Sequence, residues 1–443
     1  MADDQERSRM RRSTLGRGAK LATLPLGFAG RTAIGVGKRV GGKPAEAVFS
    51  EIQRRTADQL FTVLGELKGG AMKLGQAMSI FESALPEELV APYREVLTKL
   101  QDAAPPMTLR MLEEVLSEEL GEDWRAEFKT FDDRPAASAS LGQVHRAVWS
   151  DGTDVAVKIQ YPGAARALRS DLRAISRLGR LFAVLAPGID LKALLAEIEA
   201  RATEELDYEL EASAQRVFAA EYADDPEVVV PYVLHATPRV LVTSWLESDQ
   251  SIAGVIRNGS PEERDRAGFL YATFLVSSPA RTGLLHADPH PGNFRLLSDG
   301  RLGVVDFGAA ARLPDGFPRP LGELLRLVSD GDWEGAAASL RANGFLLPHT
   351  RFEPAELADY LGPMLAPARE EVFGFSRSWL RGEAARVAIP TPENFSRAVK
   401  INLPPEYMLI HRVWMGGIGV LCQLEATLPF RGMLADNVPG FAD

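Results

Sequence analysis

At 443 residues, 46% apolar and 25% charged, the chain is long enough for two or three packed units, and its ordinary globular balance excludes fibrous and disordered classes. Its single cysteine, Cys422, excludes an intrachain disulfide and a thiolate metal site, and its six histidines form no His-Glu-x-x-His pair. The net charge of −10 conceals ten basic and no acidic residues between Arg7 and Lys43, leaving about −20 on the remainder.

Residues 1–45 read as a basic, glycine-dense leader. A solvated tail is one reading of such a block. The other is attraction to an anionic membrane surface, where each Lys or Arg adds on the order of 1 kcal/mol. Leu21, Leu24, Leu26, Phe28, Ile34 and Val36 interleave with the charges, as a surface-lying segment requires. The acidic body argues against a nucleic-acid partner. Leu21 to Val36 imitates a signal peptide poorly, being broken by glycines and Arg31. The expectation is a cytoplasmic chain, not secreted, with peripheral membrane contact through the leader.

Apolar spacing predicts helix from Ala45 to Ser83 (Leu60, Val63, Leu64, Leu67, Met72, Leu74), interrupted at Gly69-Gly70. Pro86 starts another helix toward Leu100, Pro105-Pro106 marks a boundary, and Thr108 to Leu120 reads as helix again. The period then changes. Val144–Val148 and Asp154–Lys158 predict two strands joined by an Asp151-Gly152 turn. Helices over 164–186 and 190–221 follow, then a strand pair near 228–230 and 239–243. From 261 onward the chain reads as mostly helical, with β segments near 294–305. Tyr407 to Leu424 is apolar but holds His411 and Arg412, and so reads as a buried helix, not a membrane span. The pattern predicts an α+β, two-lobed body: a leader (1–45), a helical extension (46–130), a strand-bearing lobe (131–247) and a helical lobe (248–443).

Two clusters carry chemistry. The run Ala137-Ser138-Ala139-Ser140-Leu141-Gly142-Gln143-Val144 matches the last glycine and the valine of the nucleotide-loop pattern G-x-G-x-x-G-x-V, with alanine at the first two glycine positions. Lys158 closes the apolar strand Val155-Ala156-Val157-Lys158, where it can reach the α and β phosphates of a nucleotide. Taken alone, a strand-end lysine is as readily a snorkelling surface group. The second cluster decides between them. His286-Ala287-Asp288 is followed by Asn293, and Asp306-Phe307-Gly308 comes after the strand Leu302–Val305. Asn293 and Asp306 offer hard oxygen ligands for Mg²⁺ bridging phosphates, and Asp288 can accept a hydroxyl proton or orient a nucleophile.

Lys158 needs a helical carboxylate partner. Among the acids of Glu204 to Glu211, Glu211 is chosen, sharing a helix face with Asp207. The adenine-holding hinge is placed at Ser244-Trp245-Leu246. No Ala-Pro-Glu follows Asp306-Phe307-Gly308, so the segment that docks peptide substrates is missing, favouring a small-molecule or lipid substrate, or plain ATP hydrolysis.

These residues resemble the UbiB/AarF family of atypical kinases, the ubiquinone-biosynthesis group. Lys73-Leu74-Gly75-Gln76 is similar to its K-x-G-Q motif, Pro135 to Ala147 to its alanine-rich loop, and Glu205-Leu206-Asp207 to its E-x-D motif. The resemblance covers roughly residues 45–430. It implies a bilobal protein-kinase-like fold with an N-terminal helical extension covering the pocket. Lys73 and Gln76 would face the nucleotide site, with Glu205 and Asp207 close by as further nucleotide-binding candidates. It also implies ATP or ADP with Mg²⁺, ATPase activity linked to an isoprenoid lipid or quinone precursor, membrane association and biosynthetic partner proteins. Alanine where glycine would let the backbone approach weakens the phosphate cradle, so an altered ATP-versus-ADP preference is expected. Ser138 interrupts the alanines and offers a hydroxyl to a phosphate.

Two other readings compete. An aminoglycoside- or choline-kinase-type phosphotransferase uses a similar His-x-Asp loop, but the K-x-G-Q and alanine-rich segments argue against it. A nucleotide-regulated scaffold for lipid or protein is the non-enzymatic alternative.

Overall fold

The computed structural model describes residues 107–139, 141–164, 206–248, 250–346, 353–388 and 402–442. The predicted helices before residue 101 and over 165–186 lie outside these residues.

Helix α1 (Leu109–Leu120) starts where Thr108 accepts a hydrogen bond from the Met111 amide, and Leu112, Val115 and Leu116 form its buried stripe. A 3₁₀ turn at Trp124–Glu127 leads into β1 (Phe128–Phe131), then β2 (Ala137–Ala139), β3 (Gly142–Trp149) and β4 (Asp154–Gln160). The turn between β3 and β4 contains the predicted glycine: Gly152 has φ 105°. After helix α2 (Tyr208–Glu221) come β5 (Val228–Val229), β6 (Val233–Ala236) and β7 (Val240–Ser244). The first sheet runs β1-β3-β4-β7-β6, with β2 paired to β3.

Alternation along β4 sorts its side chains. Val155, Val157 and Ile159 pack with Val240 and Val242 against α1, so Lys158 emerges on the opposite face, beside α2. The α1 residues and Phe128 therefore belong to the core of the strand-bearing lobe, and the boundary read at 130/131 falls inside β1.

Two further expectations are corrected. The helix predicted over 190–221 is interrupted at Leu206 and Asp207, where Asp207 caps a helix that starts at Tyr208; its part before 206 lies outside the described residues. The strands near 228 and 240 both form but do not pair. β5 lies parallel to β11 (Leu302–Val304), whereas β7 pairs with β4 and with β6, a strand the sequence reading missed.

The second lobe begins with β8 (Gln250–Ser251), reached from β7 through Trp245–Ser248, then α3 (Ile252–Asn258) and α4 (Pro261–Thr282). Ser260 and Glu263 form a capping box at the start of α4. Strands β9 (Leu284–His286), β10 (Phe294–Leu296) and β12 (Ala310–Arg312) complete the β segments around the two motif clusters. A four-stranded sheet runs β5-β11-β10-β8, and β12 pairs with β9. Helices α5 (Arg319–Ser329), α6 (Trp333–Ala342), α7 (Pro354–Leu361) and α8 (Ala366–Arg369) follow, then β13 (Phe373–Gly374) and α9 (Arg377–Ala388). Helix α10 (Pro405–Leu424), β14 (Thr427–Leu428) and α11 (Phe430–Asn437) close the lobe. As expected, α10 is buried along Ile410, Val413, Val420 and Leu421. No helix among the described residues is long and apolar enough to cross a membrane. Helix α2 bridges the lobes: Tyr208 and Ala212 pack on Leu241, whereas Phe218 and Tyr222 enter the core of the helical lobe.

Candidate active site

Lys158 reaches across to α2. Its Nζ donates to Glu211 Oε1 at 2.7 Å and Oε2 at 2.9 Å, and to Asp306 Oδ2 at 3.1 Å. The Tyr208 ring lies 5.1 Å from the same nitrogen. Burial opposes the lysine charge, but Asp306 and Glu211 outweigh it and hold the Lys158 pKa well above its ordinary value. Lys158 is therefore a fixed cation. The Glu211 side chain is 2% exposed and that of Asp306 27%, so Asp306 is the carboxylate open to the cleft.

The Asp-Phe-Gly turn is locked from several sides. Asp306 Oδ1 accepts from the Gly308 amide at 3.0 Å. Phe307 is buried against Phe218 of α2, ring centres 4.8 Å apart, which couples this turn to the helix that carries Glu211. His286 Nε2 lies 2.6 Å from the Asp306 carbonyl and donates to it, since a carbonyl only accepts. Burial lowers the His286 pKa, so the ring is neutral.

Asp288 sits in the loop after β9, and its Oδ1 accepts from the His290 amide at 3.3 Å. The loop is held by two groups far away in sequence. Tyr271 of α4 donates its hydroxyl to the Pro289 carbonyl at 2.6 Å, and Arg412 of α10 donates to the Ala287 carbonyl at 3.1 Å. Neither was singled out for the site from sequence. The available signal for Arg412 was a charge within an otherwise apolar helix.

Asn293 donates Nδ2 to the Asp288 carbonyl at 3.4 Å, which leaves Oδ1 as its acceptor end. The Val305 amide donates to the Asn293 carbonyl at 3.0 Å, so Asn293 and Asp306 lie on backbone joined by a hydrogen bond. Among the described residues no three His, Cys, Asp or Glu side chains converge as a metal cage. An amide oxygen and one open carboxylate suit Mg²⁺ that takes its remaining ligands from phosphate and water.

The nucleotide-loop candidates Ala137, Ser138 and Ala139 form β2, opposite Val144, Gln143 and Gly142 of β3. Ser138 is exposed, and Val144 lies opposite Lys158 in the β3–β4 ladder. Gly142 is held by packing, because a Cβ there would run into the Ile159 backbone. Asp207, expected close to the nucleotide site, is the α2 cap and so lies outside the helix face it was read as sharing with Glu211. Its Oδ1 accepts from the Glu209 amide at 3.0 Å and the Leu210 amide at 3.4 Å. Ser140, Lys73, Gln76 and Glu205 lie outside the described residues. The expected hinge, Ser244 to Leu246, joins the two sheets, and the Trp245 amide donates to the Asp154 carbonyl.

A family model described as the ABC1 atypical kinase-like domain matches residues 99–340. The mitochondrial atypical kinase coq-8 of Caenorhabditis elegans is 30% identical over 363 residues, covering 78% of this chain and 46% of that protein. The mitochondrial atypical kinase COQ8 of Saccharomyces cerevisiae is 32% identical over 285 residues, 63% of this chain and 55% of its own length. The chain thus spans about half the length of these curated relatives. A solved structure, the complex of Rv3197 with erythromycin from Mycobacterium tuberculosis, is 42% identical with a TM-score of 0.69, and the match covers 90% of this chain and 100% of that one. The fold is kinase-like, and the chain belongs to the ABC1 atypical kinase-like family, the UbiB/AarF group.

Proposed function

We propose that the chain is a Mg²⁺-dependent, ATP-binding atypical kinase or ATPase of UbiB type, acting in isoprenoid-quinone or lipid metabolism. The observation that supports it most is the meeting of Lys158, Glu211 and Asp306 from three separate elements, with Lys158 held as a cation. Lys158 would bind the α and β phosphates, braced by Glu211, while Asn293 and Asp306 would hold Mg²⁺. The bound ion supplies charge neutralisation at the phosphates. Asp288, on a loop fixed by Tyr271 and Arg412, would take a hydroxyl proton or orient the nucleophile. From Asp306 the chain reaches α5 within a short β12 and one turn, which leaves little backbone for a peptide-docking segment. That favours a small or lipid-like acceptor, or water.

The relatives named COQ8 support the atypical-kinase part of this reading; the quinone-precursor lipid, the anionic membrane surface met through the basic leader and the biosynthetic partner proteins are our proposal. The erythromycin complex of the 42%-identical protein favours a second reading, a nucleotide-coupled binder of a macrolide. ATP hydrolysis with Mg²⁺ tests both, measured alone, with anionic vesicles carrying a quinone-precursor analogue, and with erythromycin. Stimulation by the vesicles alone supports the first reading and stimulation by erythromycin alone the second. Absence of Mg²⁺-dependent nucleotide binding overturns both.

A further inference from the structure

Helix α2 carries Glu211 near its start, and Glu221 closes it about 15 Å further along the axis. Arg281, in the last turn of α4, meets that far end. Its Nε donates to Glu221 Oε1 at 3.2 Å, one terminal nitrogen to Asp225 Oδ2 at 2.7 Å and the other to the Glu221 carbonyl at 3.4 Å. The guanidinium carbon lies 3.9 Å from the centre of the Tyr222 ring, and Tyr222 is the residue that ends the helix. One planar fork thus engages the last side chain of α2, its last carbonyl, its cap and the segment beyond. Solvent screens the Glu221 pair, whose carboxylate is 41% exposed; Asp225, at 11%, is the firmer anchor.

Asp225 is itself a junction. Its Oδ1 accepts from the Glu227 and Val228 amides at 2.9 and 2.8 Å, where β5 starts, and β5 lies along β11, the strand that runs into Asp306. On the other side, the chain turns at Gly283, φ 68°, from α4 into β9, which ends at His286 ahead of Asp288. The Arg281–Asp225 contact therefore joins the elements that deliver Glu211, Asp306 and Asp288. Burial of Phe218 and Tyr222 also holds α2 on the helical lobe, but such burial is non-directional. The bonds of Arg281 are directional and fix how far the helix turns and slides.

We propose that Arg281 is a positioning residue that pins the end of α2 to α4 and thereby keeps Glu211 on Lys158 before any ligand arrives. Its role rests on the Lys158 site described above and adds to the proposed function a reason why that site is assembled in the empty chain. The test reads the Lys158 amine directly, by acetylation of the native full chain with an N-hydroxysuccinimide ester, followed by peptide mass spectrometry. Lys129, exposed on β1, is the internal reference. In the wild type Glu211 and Asp306 keep Lys158 protonated and slow to react. Arg281→Met is expected to raise the Lys158 rate relative to Lys129 on the order of tenfold, as the amine loses one of its two carboxylates. Asp225→Asn should give a rise in the same direction and serves if Arg281→Met does not fold, and Arg281→Lys should restore part of the protection. Arg266→Met, which breaks the exposed Arg266–Glu227 pair on the same helix, should leave Lys158 as in the wild type. An unchanged Lys158 rate in Arg281→Met and Asp225→Asn, or an equal rise in Arg266→Met, overturns the role of Arg281. Addition of Mg·ATP should protect Lys158 further in the wild type; failure to do so counts against the nucleotide reading and leaves the positioning role standing.

Discussion

His286 donates its Nε2 proton to the Asp306 carbonyl across 2.6 Å, fastening the strand before the Asp288 loop to the expected metal-binding turn. Its Nδ1 is buried with no hydrogen-bond partner among the described residues, so a second ring proton would be a buried charge without an acceptor. His145 is in a similar state. The Met107 amide donates to Gln143 Oε1, so Gln143 Nε2 donates to His145 Nε2, and His145 Nδ1–H donates to the Asp132 carbonyl at 2.7 Å. Burial lowers both histidine pKa values below the ordinary value of 6.5. The unfolded chain therefore binds more protons at acid pH, and stability present above about pH 6.5 is lost as the pH falls below it. Melting temperatures from pH 7.5 to 5 should decline, and less steeply in His286→Asn. A flat wild-type profile contradicts the neutral-ring assignment.

Glu211→Ala leaves Lys158 with Asp306 as its remaining carboxylate. Breaking a buried pair in this way should cost on the order of 3 kcal/mol in denaturant unfolding. Replacing both partners, Lys158→Met with Glu211→Leu, should recover much of that stability, because two buried charges are removed together. Nucleotide binding should not recover. A double variant that still binds Mg·ATP like wild type would show that the pair serves only the fold.

Tyr271 and Arg412 hold the Asp288 loop through the Pro289 and Ala287 carbonyls. Tyr271→Phe removes the hydroxyl that satisfies the Pro289 carbonyl and should cost about 1–2 kcal/mol. In both Tyr271→Phe and Arg412→Met, kcat for ATP should fall while KM changes little, since the phosphate-binding groups stay in place. A rise in KM at constant kcat would place these residues in substrate binding instead.

Gly142 has a packing reason to be glycine, whatever it does at a phosphate. Gly142→Ala should destabilise the chain by about 1–3 kcal/mol, because the new Cβ meets the Ile159 backbone, which cannot swing aside. Ala139→Gly, on β2, should cost no more than about 1 kcal/mol. Chemical denaturation of the two variants separates a packing glycine from a nucleotide-loop glycine.

The site was legible where chemistry is written locally. Lys158 closes an apolar strand, and Asp288, Asn293 and Asp306 keep a fixed spacing that periodicity cannot mimic. Partners set by tertiary packing were legible only in outline. Glu211 stood out because one turn of helix separates it from Asp207, yet Asp207 proved to be the cap that starts that helix, a role Asp performs as readily as any binding role. Tyr271 and Arg412 carried no local mark, since their hydrogen bonds reach backbone carbonyls 18 and 125 residues away. The two-residue β5 was found but given the wrong partner, because register over so short a strand is decided by the neighbouring sheet and not by its own pattern.

The stretch after Asp306-Phe307-Gly308 is stitched as β12 onto β9, through Ala310–His286, Ala311–Leu285 and Arg312–Leu284, before Phe317 is buried and α5 begins. In kinases controlled by phosphorylation this stretch is a long loop that disorders and refolds as charge is added. Here it is a short rung of a ladder with no slack to refold. A site of the proposed kind therefore lacks that on–off lever. Under the proposed function its rate would be set by what arrives at the cleft, nucleotide and acceptor, and by whatever surface brings the two together.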